Sequence, residues 1–305
     1  MIEKERLEKI KMIALDLDGT TLTRNGLTRR TKETLEEAIR RGYKVVVATG
    51  RPFVALPEDV AAIKGLEHII ISNGAHIAVP HTGEFIYSSC ADSDAIMKVR
   101  EILMEEDFVI EVFTGGGAYV DKALYDDLAA NGSDWLSYRY ILRTRKPVDD
   151  IYAFWEVNSD AIENVNIYFR EQTDKARMYE VLGRIKNLTI TSSMKKNIEI
   201  GGAATSKASA IGYLCGLYGL EQENVMAFGD SPNDGAMIKA AGIGVAMGNA
   251  TDDIKYEADI TAPTNDEEGV AYTIRTLLFG EPEGMPPHVS WLDKLRQILY
   301  HNKEV

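Results

Sequence analysis

The sequence predicts an α/β protein, a parallel-sheet core interrupted by an inserted α+β module. Three observations carry this. Short apolar runs over residues 12–15, 44–48 and 68–72 are separated by helical segments, the pattern of βαβ units with parallel strands. From residue 77 to about 192 the pattern changes to hairpins and helices. Regular βα alternation then resumes to residue 280. The expected divisions are 1–79 for the first part of the core and 80–192 for the insertion. The second part of the core spans 193–280, and 281–305 form a helical C-terminal extension.

Each element has a local reason. Residues 12–15 are apolar on both faces, as a central strand requires. Residues 31–41 repeat Leu35, Ala38 and Ile39 at helical spacing, and Gly42 suits the C-cap. Residues 44–48 form a second buried strand, and a short helix over 53–63 leads to a third at 68–72. In the insertion, 77–79 and 85–87 read as one hairpin, and 108–113 with 118–120 as another across Gly115-Gly116-Gly117. Between them 92–106 is an amphipathic helix capped by Asp92 or Ser93. Trp135, Tyr138 and Tyr140 suit the core of the insertion, or alternatively a pocket wall. After 197–200, a helix opens at Thr205-Ser206-Lys207, and strands follow at 224–228, 244–247 and 259–261.

Composition removes several classes of function. A 305-residue chain with 45% apolar and 27% charged residues is an ordinary globular protein. Its net charge of −13 argues against a nucleic-acid binder but not against a small anionic substrate. Cys90 and Cys215 have no CxxC or histidine companions and read as reduced thiols. The five histidines lack metal-ligand spacing and are taken as surface or turn residues. No run approaches the roughly 18 apolar residues of a membrane span. A cytoplasmic monomer or homodimer without a membrane partner is expected.

The chemistry collects at strand ends and helix starts: Asp16, Asp18, Thr49, Asn73, Lys207, Asp230, Asn233 and Asp234. Open α/β sheets bind ligands at the carboxyl ends of their strands. Clustered carboxylates repel unless a cation or shared proton relieves them, and hard oxygen ligands suit Mg²⁺. A lysine at a helix start favours a bound anion.

Asp16-Leu17-Asp18-Gly19-Thr20, Ala48-Thr49-Gly50-Arg51, Ser206-Lys207 and Gly229-Asp230-Ser231-Pro232-Asn233-Asp234 stand in a characteristic order. In that order and spacing the chain resembles the haloacid dehalogenase-like (HAD) phosphatases, and most closely their Cof-type sugar-phosphatase branch with an α+β (type IIB) cap. The resemblance implies a Rossmann-like core, an inserted cap and a Mg²⁺-dependent phosphomonoester hydrolase acting on a small phosphorylated metabolite, most simply a sugar phosphate. It makes Asp16 the nucleophile and a metal ligand, and Asp18 the general acid/base whose carbonyl also meets the metal. Thr49 and Lys207 would hold phosphoryl oxygens, with Gly50 beside Thr49. Asp230 would bind metal, with Asp234 supporting it through water or Lys207 rather than directly. Asn233 and Asn73 would be phosphate contacts or lie just behind them. Arg51 would touch substrate or form a surface salt bridge. Asp18 sets dehalogenation aside, since the superfamily's dehalogenases lack that residue. Two alternatives stay open: a phosphoryl transferase or mutase using the same phospho-aspartate, and a sugar-phosphate-binding regulator with little turnover.

Overall fold

The computed structural model describes residues 2–281. The predicted C-terminal helix, around Trp291, lies outside the described residues. Contacts divide the described residues into two compact units: 2–49, 57–69 and 211–281 form the first, and 50–56 with 70–210 the second. Along the chain the strands are β1 (Met12–Leu15), β2 (Lys44–Ala48), β3 (His68–Ile71), β4 (His76–Ala78), β5 (Phe85–Ser88), β6 (Val109–Thr114) and β7 (Gly117–Asp121). They continue as β8 (Lys146–Val148), β9 (Ile162–Tyr168), β10 (Leu188–Thr191), β11 (Asn197–Gly202), β12 (Val225–Gly229), β13 (Ile243–Ala246) and β14 (Ile260–Thr261).

In the first unit the strand order is β14-β13-β12-β1-β2-β3. β1 pairs in parallel with both β12 and β2, and every residue of β1 is buried. The chain runs outward through β2 and β3 on one side of β1, and through β13 and β14 on the other. The winding therefore reverses between β1 and β12, and this switch point opens a crevice at the carboxyl ends of those strands. The helix Arg29–Arg40 that links β1 to β2 buries Thr31, Thr34, Leu35 and Ala38. The Thr28 side chain caps it by accepting from the Thr31 amide at 3.1 Å. The helix expected over 53–63 is instead a 3-10 turn, Phe53–Ala55, and a single turn of helix, Glu58–Ala61. Pro57 is the cause: it drives Leu56 into extended backbone (φ −67°, ψ 134°).

The second unit holds the β4–β5 hairpin and a sheet in the order β10-β11-β9-β6-β7-β8, antiparallel except where β7 meets β8. One face packs Ile110, Val112, Val165, Ile167, Ile198 and Ile200 into a core completed by Trp155 and Phe169. The opposite face carries Glu111, Asn166 and Glu199, which the register sets side by side. A boundary needs correction here. The division that opened the second part of the core at 193 put Asn197–Gly202 there, but β11 pairs along β9 and β10 inside this sheet. The short run has the same apolar texture as a core strand, and only its partners decide where it belongs. Trp135 and Tyr138 pack against Val120, Leu128 and Ile141, so these two aromatics are core.

Candidate active site

Asp16 follows β1 directly, and Asp230 follows β12, so the switch point delivers both carboxylates side by side. Asp16 is buried, and its amide donates to the Phe228 carbonyl at 3.0 Å. Asp234 is fully buried on the short turn Pro232–Asp234. One carboxylate oxygen from each of Asp16, Asp230 and Asp234 lies within 4.8 Å of the others. Three like charges this close are relieved by a cation, and an all-oxygen donor set matches a hard dication. The residues therefore fit the divalent metal that the sequence implies.

The loops are shaped around this cluster. Gly19 has φ +83°, and a Cβ there would stand 2.5 Å from Asp230 Oδ2. Only glycine satisfies both the backbone and the space. Thr20 Oγ1 donates to Asp230 Oδ1 at 2.8 Å, and Ser231 Oγ to Asp230 Oδ2 at 3.0 Å. Asp234 Oδ2 accepts the amides of Asp230 (2.9 Å) and Ser231 (3.0 Å), which pins the loop after β12. Asp18 is exposed, on the turn where the amides of Thr20, Thr21 and Leu22 converge on the Leu17 carbonyl. Thr49 is buried just past β2, one strand over from Asp16 in the register Leu15↔Val47. Asn233 is half-buried on the turn with Asp234. Asn249 Nδ2 donates to the Gly19 carbonyl at 2.8 Å and steadies the same turn from a third loop.

Gly50, Arg51, Asn73 and Lys207 belong to the second unit by contact. The turn Ser72–Gly74 is backbone-strained, with Ser72 at φ 48° and Asn73 at φ 57°. Two buried carboxylates hold it: Ser72 Oγ donates to Glu163 Oε2, and Asn73 Nδ2 to Glu199 Oε2, both at 2.6 Å. A Cβ on Gly74 would lie 2.2 Å from the Ser206 carbonyl oxygen. The turn thus presses against the start of helix Lys207–Tyr218, where Lys207 is 1% exposed. Gly50 faces Asn73, since its Cβ would stand 3.0 Å from Asn73 Oδ1. Arg51 donates to the Ala55 carbonyl at 3.0 Å, and its guanidinium lies 5.3 Å from the Tyr140 ring centre.

Glu163 is the extra residue of a β-bulge, where Thr114 pairs with Ile162 and Phe113 with Asn164. Besides Ser72 it accepts the Gly116 amide at 2.5 Å and faces His76 Nε2 at 3.4 Å. His76 is not the surface or turn residue expected; it is buried in β4 and stacked on Phe85. Burial opposes its charge, but contacts with Cys90 and Glu163 outweigh burial and raise its pKa to about 10.

A family model described as haloacid dehalogenase-like hydrolase matches residues 13–274. The chain belongs to the haloacid dehalogenase-like hydrolases. "Phosphatase YwpJ" of Bacillus subtilis (strain 168) is 31% identical over 297 residues, covering 88% of this chain and 100% of that protein. "5-amino-6-(5-phospho-D-ribitylamino)uracil phosphatase YcsE" of the same organism is 31% identical over 277 residues, covering 90% and 98%. A solved haloacid dehalogenase-like hydrolase from B. subtilis superposes with a TM-score of 0.76 at 31% identity, over 88% of this chain and 100% of that one. The protein is accordingly an enzyme, a phosphatase of this family. Among the described residues no helix is long and apolar enough to cross a membrane.

Sequence reasoning gave no role to Thr20, Asn249, Glu163 or Glu199. Thr20 and Asn249 sit in turns whose composition explains them without a site. The two glutamates left a clearer signal, a charge inside a strand pattern that is otherwise buried.

Proposed function

We propose that the protein is a Mg²⁺-dependent phosphomonoester hydrolase acting on a small phosphorylated metabolite, a sugar or polyol phosphate, through a phospho-aspartate on Asp16. The observation that carries this is the convergence of Asp16, Asp230 and Asp234 at the switch point, with Thr20 and Ser231 both donating to Asp230. An Asp16 oxygen attacks phosphorus, and the bond from phosphorus to the leaving oxygen breaks. Asp18, exposed at the next turn, gives its proton to that oxygen. It then takes a proton from the water that attacks phosphorus and frees Asp16. Thr49 and Lys207 are assigned to the phosphoryl oxygens. Gly50, Asn73, Asn233 and Arg51 are assigned to the surroundings of the phosphoryl group. The Asp16 and Asp230 carboxylates and the Asp18 carbonyl would hold the metal. Asp234 would support it by fixing the Asp230 loop and by its oxygen near Asp16. A bound Mg²⁺ supplies charge neutralisation and polarises the phosphoryl oxygens. A relative named for a ribitylamino phosphate substrate supports the polyol phosphate reading.

The test is phosphate release by purified protein with Mg²⁺ over a panel of phosphorylated metabolites, with Asp16→Asn alongside. Turnover by the native protein and its loss in the variant are expected. No release from any phosphomonoester, or an Asp16→Asn variant that turns over normally, refutes the reading.

A further inference from the structure

Cys90 has no histidine near it in sequence, but the fold gives it one. β4 and β5 pair antiparallel with His76 opposite Ser88, and the loop that leaves β5 brings Cys90 back beside both. Its sulfur lies 3.9 Å from His76 Nε2 and 3.5 Å from the Ser88 hydroxyl. The backbone holds it there: the Ser89 amide donates to the Ala75 carbonyl at 2.7 Å, and the Ala91 amide to the Ile162 carbonyl at 2.8 Å. A Cβ on Gly202 would stand 2.5 Å from the Cys90 carbonyl oxygen, so β11 closes against the same residue. All of these residues belong to the second unit.

The contacts of His76 fix where its protons are. A backbone carbonyl can only accept, so the 3.2 Å contact between His76 Nδ1 and the Tyr87 carbonyl puts a hydrogen on Nδ1. A neutral ring of that tautomer carries a bare lone pair on Nε2. That nitrogen faces Glu163 Oε1 at 3.4 Å as well as the sulfur, and a lone pair set against a carboxylate is repelled. A proton on Nε2 turns the repulsion into attraction and makes the ring an imidazolium. Glu163 is also bonded by the Ser72 hydroxyl at 2.6 Å and the Gly116 amide at 2.5 Å. Those neutral donors already serve its carboxylate, which leaves the ring's charge to act on the sulfur too. Burial opposes a charge on His76, and Cys90 and Glu163 are the charged groups that overcome it. With the thiol proton on Nε2, the sulfur accepts from both the imidazolium and the Ser88 hydroxyl.

The sulfur is also within reach of solvent. Cys215 is buried, whereas Cys90 is only partly so, and Ser88 beside it is exposed. A thiolate next to a cation and open to solvent is the form that reacts with electrophiles and peroxides.

We propose that Cys90 is a modification site, a thiolate held by the His76 imidazolium that a hydroperoxide oxidises to the sulfenic acid. The sulfur attacks the hydroxyl oxygen of the peroxide and the O–O bond breaks. Sulfur gives up two electrons and the peroxide takes them. The departing oxygen collects the Nε2 proton of His76 and leaves as water, or as an alcohol from an organic peroxide. The assignment does not depend on the phosphatase chemistry.

Two measurements on the full-length protein test it, with Cys90→Ser and His76→Gln alongside. In the first, iodoacetamide alkylation is timed at pH 8 and pH 6 and located by mass spectrometry of peptides. A cysteine titrating at the ordinary value of about 8.5 slows roughly seventyfold over that interval, whereas Cys90 is expected to slow less than about threefold. His76→Gln is expected to restore the steep fall. The second adds one equivalent of hydrogen peroxide at pH 6, then a 1,3-diketone that captures sulfenic acids. An adduct is expected at Cys90, with none at Cys215 and none in Cys90→Ser. A steep fall in the native protein overturns the thiolate and the proposal with it. So does a Cys90 that stays unalkylated in the folded protein, or one that gives no adduct after peroxide. The native protein's own pH profile keeps the test valid even if His76→Gln does not fold.

Discussion

Gly19→Ala tests how tightly the turn after β1 is fitted to Asp230. The new methyl would begin 2.5 Å from Asp230 Oδ2 and 2.8 Å from Cγ. Relief needs a retreat of about 1 Å by the carboxylate, to ordinary van der Waals distance. That movement stretches the bonds from Thr20 and Ser231, now at 2.8 and 3.0 Å. A displacement of this size at a reacting centre costs about a hundredfold in rate. The backbone adds about 1–2 kcal/mol of stability loss, because φ is +83°. Gly42→Ala is the matched control: its φ is +94°, yet a Cβ there would meet nothing within 4 Å. Both variants are expected to lose similar stability in thermal melts. Only Gly19→Ala should also weaken Mg²⁺ binding, read from the Mg²⁺-dependent melting shift, by about tenfold or more, and slow phosphate release. If the two variants bind Mg²⁺ equally well, the fit between Gly19 and Asp230 does not position the metal site, and the reasoning fails.

Three further outcomes follow from single contacts. Thr20→Val keeps the shape but removes the donor to Asp230 Oδ1, so Mg²⁺ affinity should drop about tenfold with little change in melting. Arg145→Met strands Glu111, whose side chain is fully buried; urea unfolding should show a loss of about 3–5 kcal/mol, partly restored by adding Glu111→Leu. His76, beside Glu163 and Cys90, has a folded pKa raised to about 10 from an unfolded value near 6.5. Its stabilisation is fully present below about pH 6.5 and is lost as pH rises through about 10, at up to about 1.4 kcal/mol per pH unit. Denaturation from pH 6 to 10 should therefore converge for the native protein and His76→Gln; parallel curves would refute the charge on His76.

Much of this protein could be read from the order of its residues. Buried strands announce themselves as apolar runs, and a polar residue directly after such a run must emerge at the sheet's edge. That local logic yields the α/β class, the positions of Asp16, Thr49 and Asp230 at strand ends, and the helix opening at Lys207. It also marks Gly19 as a turn, although the reason for glycine is a carboxylate far along the sequence, brought close only by the pairing of β1 with β12. What the tertiary structure alone decided is partnership. Asn197–Gly202 joins the second sheet because its backbone pairs with β9 and β10, and an isolated run of six residues does not encode which edge it meets. The bulge at Glu163 arises from a register shift against β6, which turns that side chain toward Ser72, His76 and Gly116. The same shift sets Asn164 on the polar face, where its neighbours' needs are met and its own is not. Local pattern determines what a segment is; long-range pairing determines which groups it leaves satisfied and which it leaves without a partner.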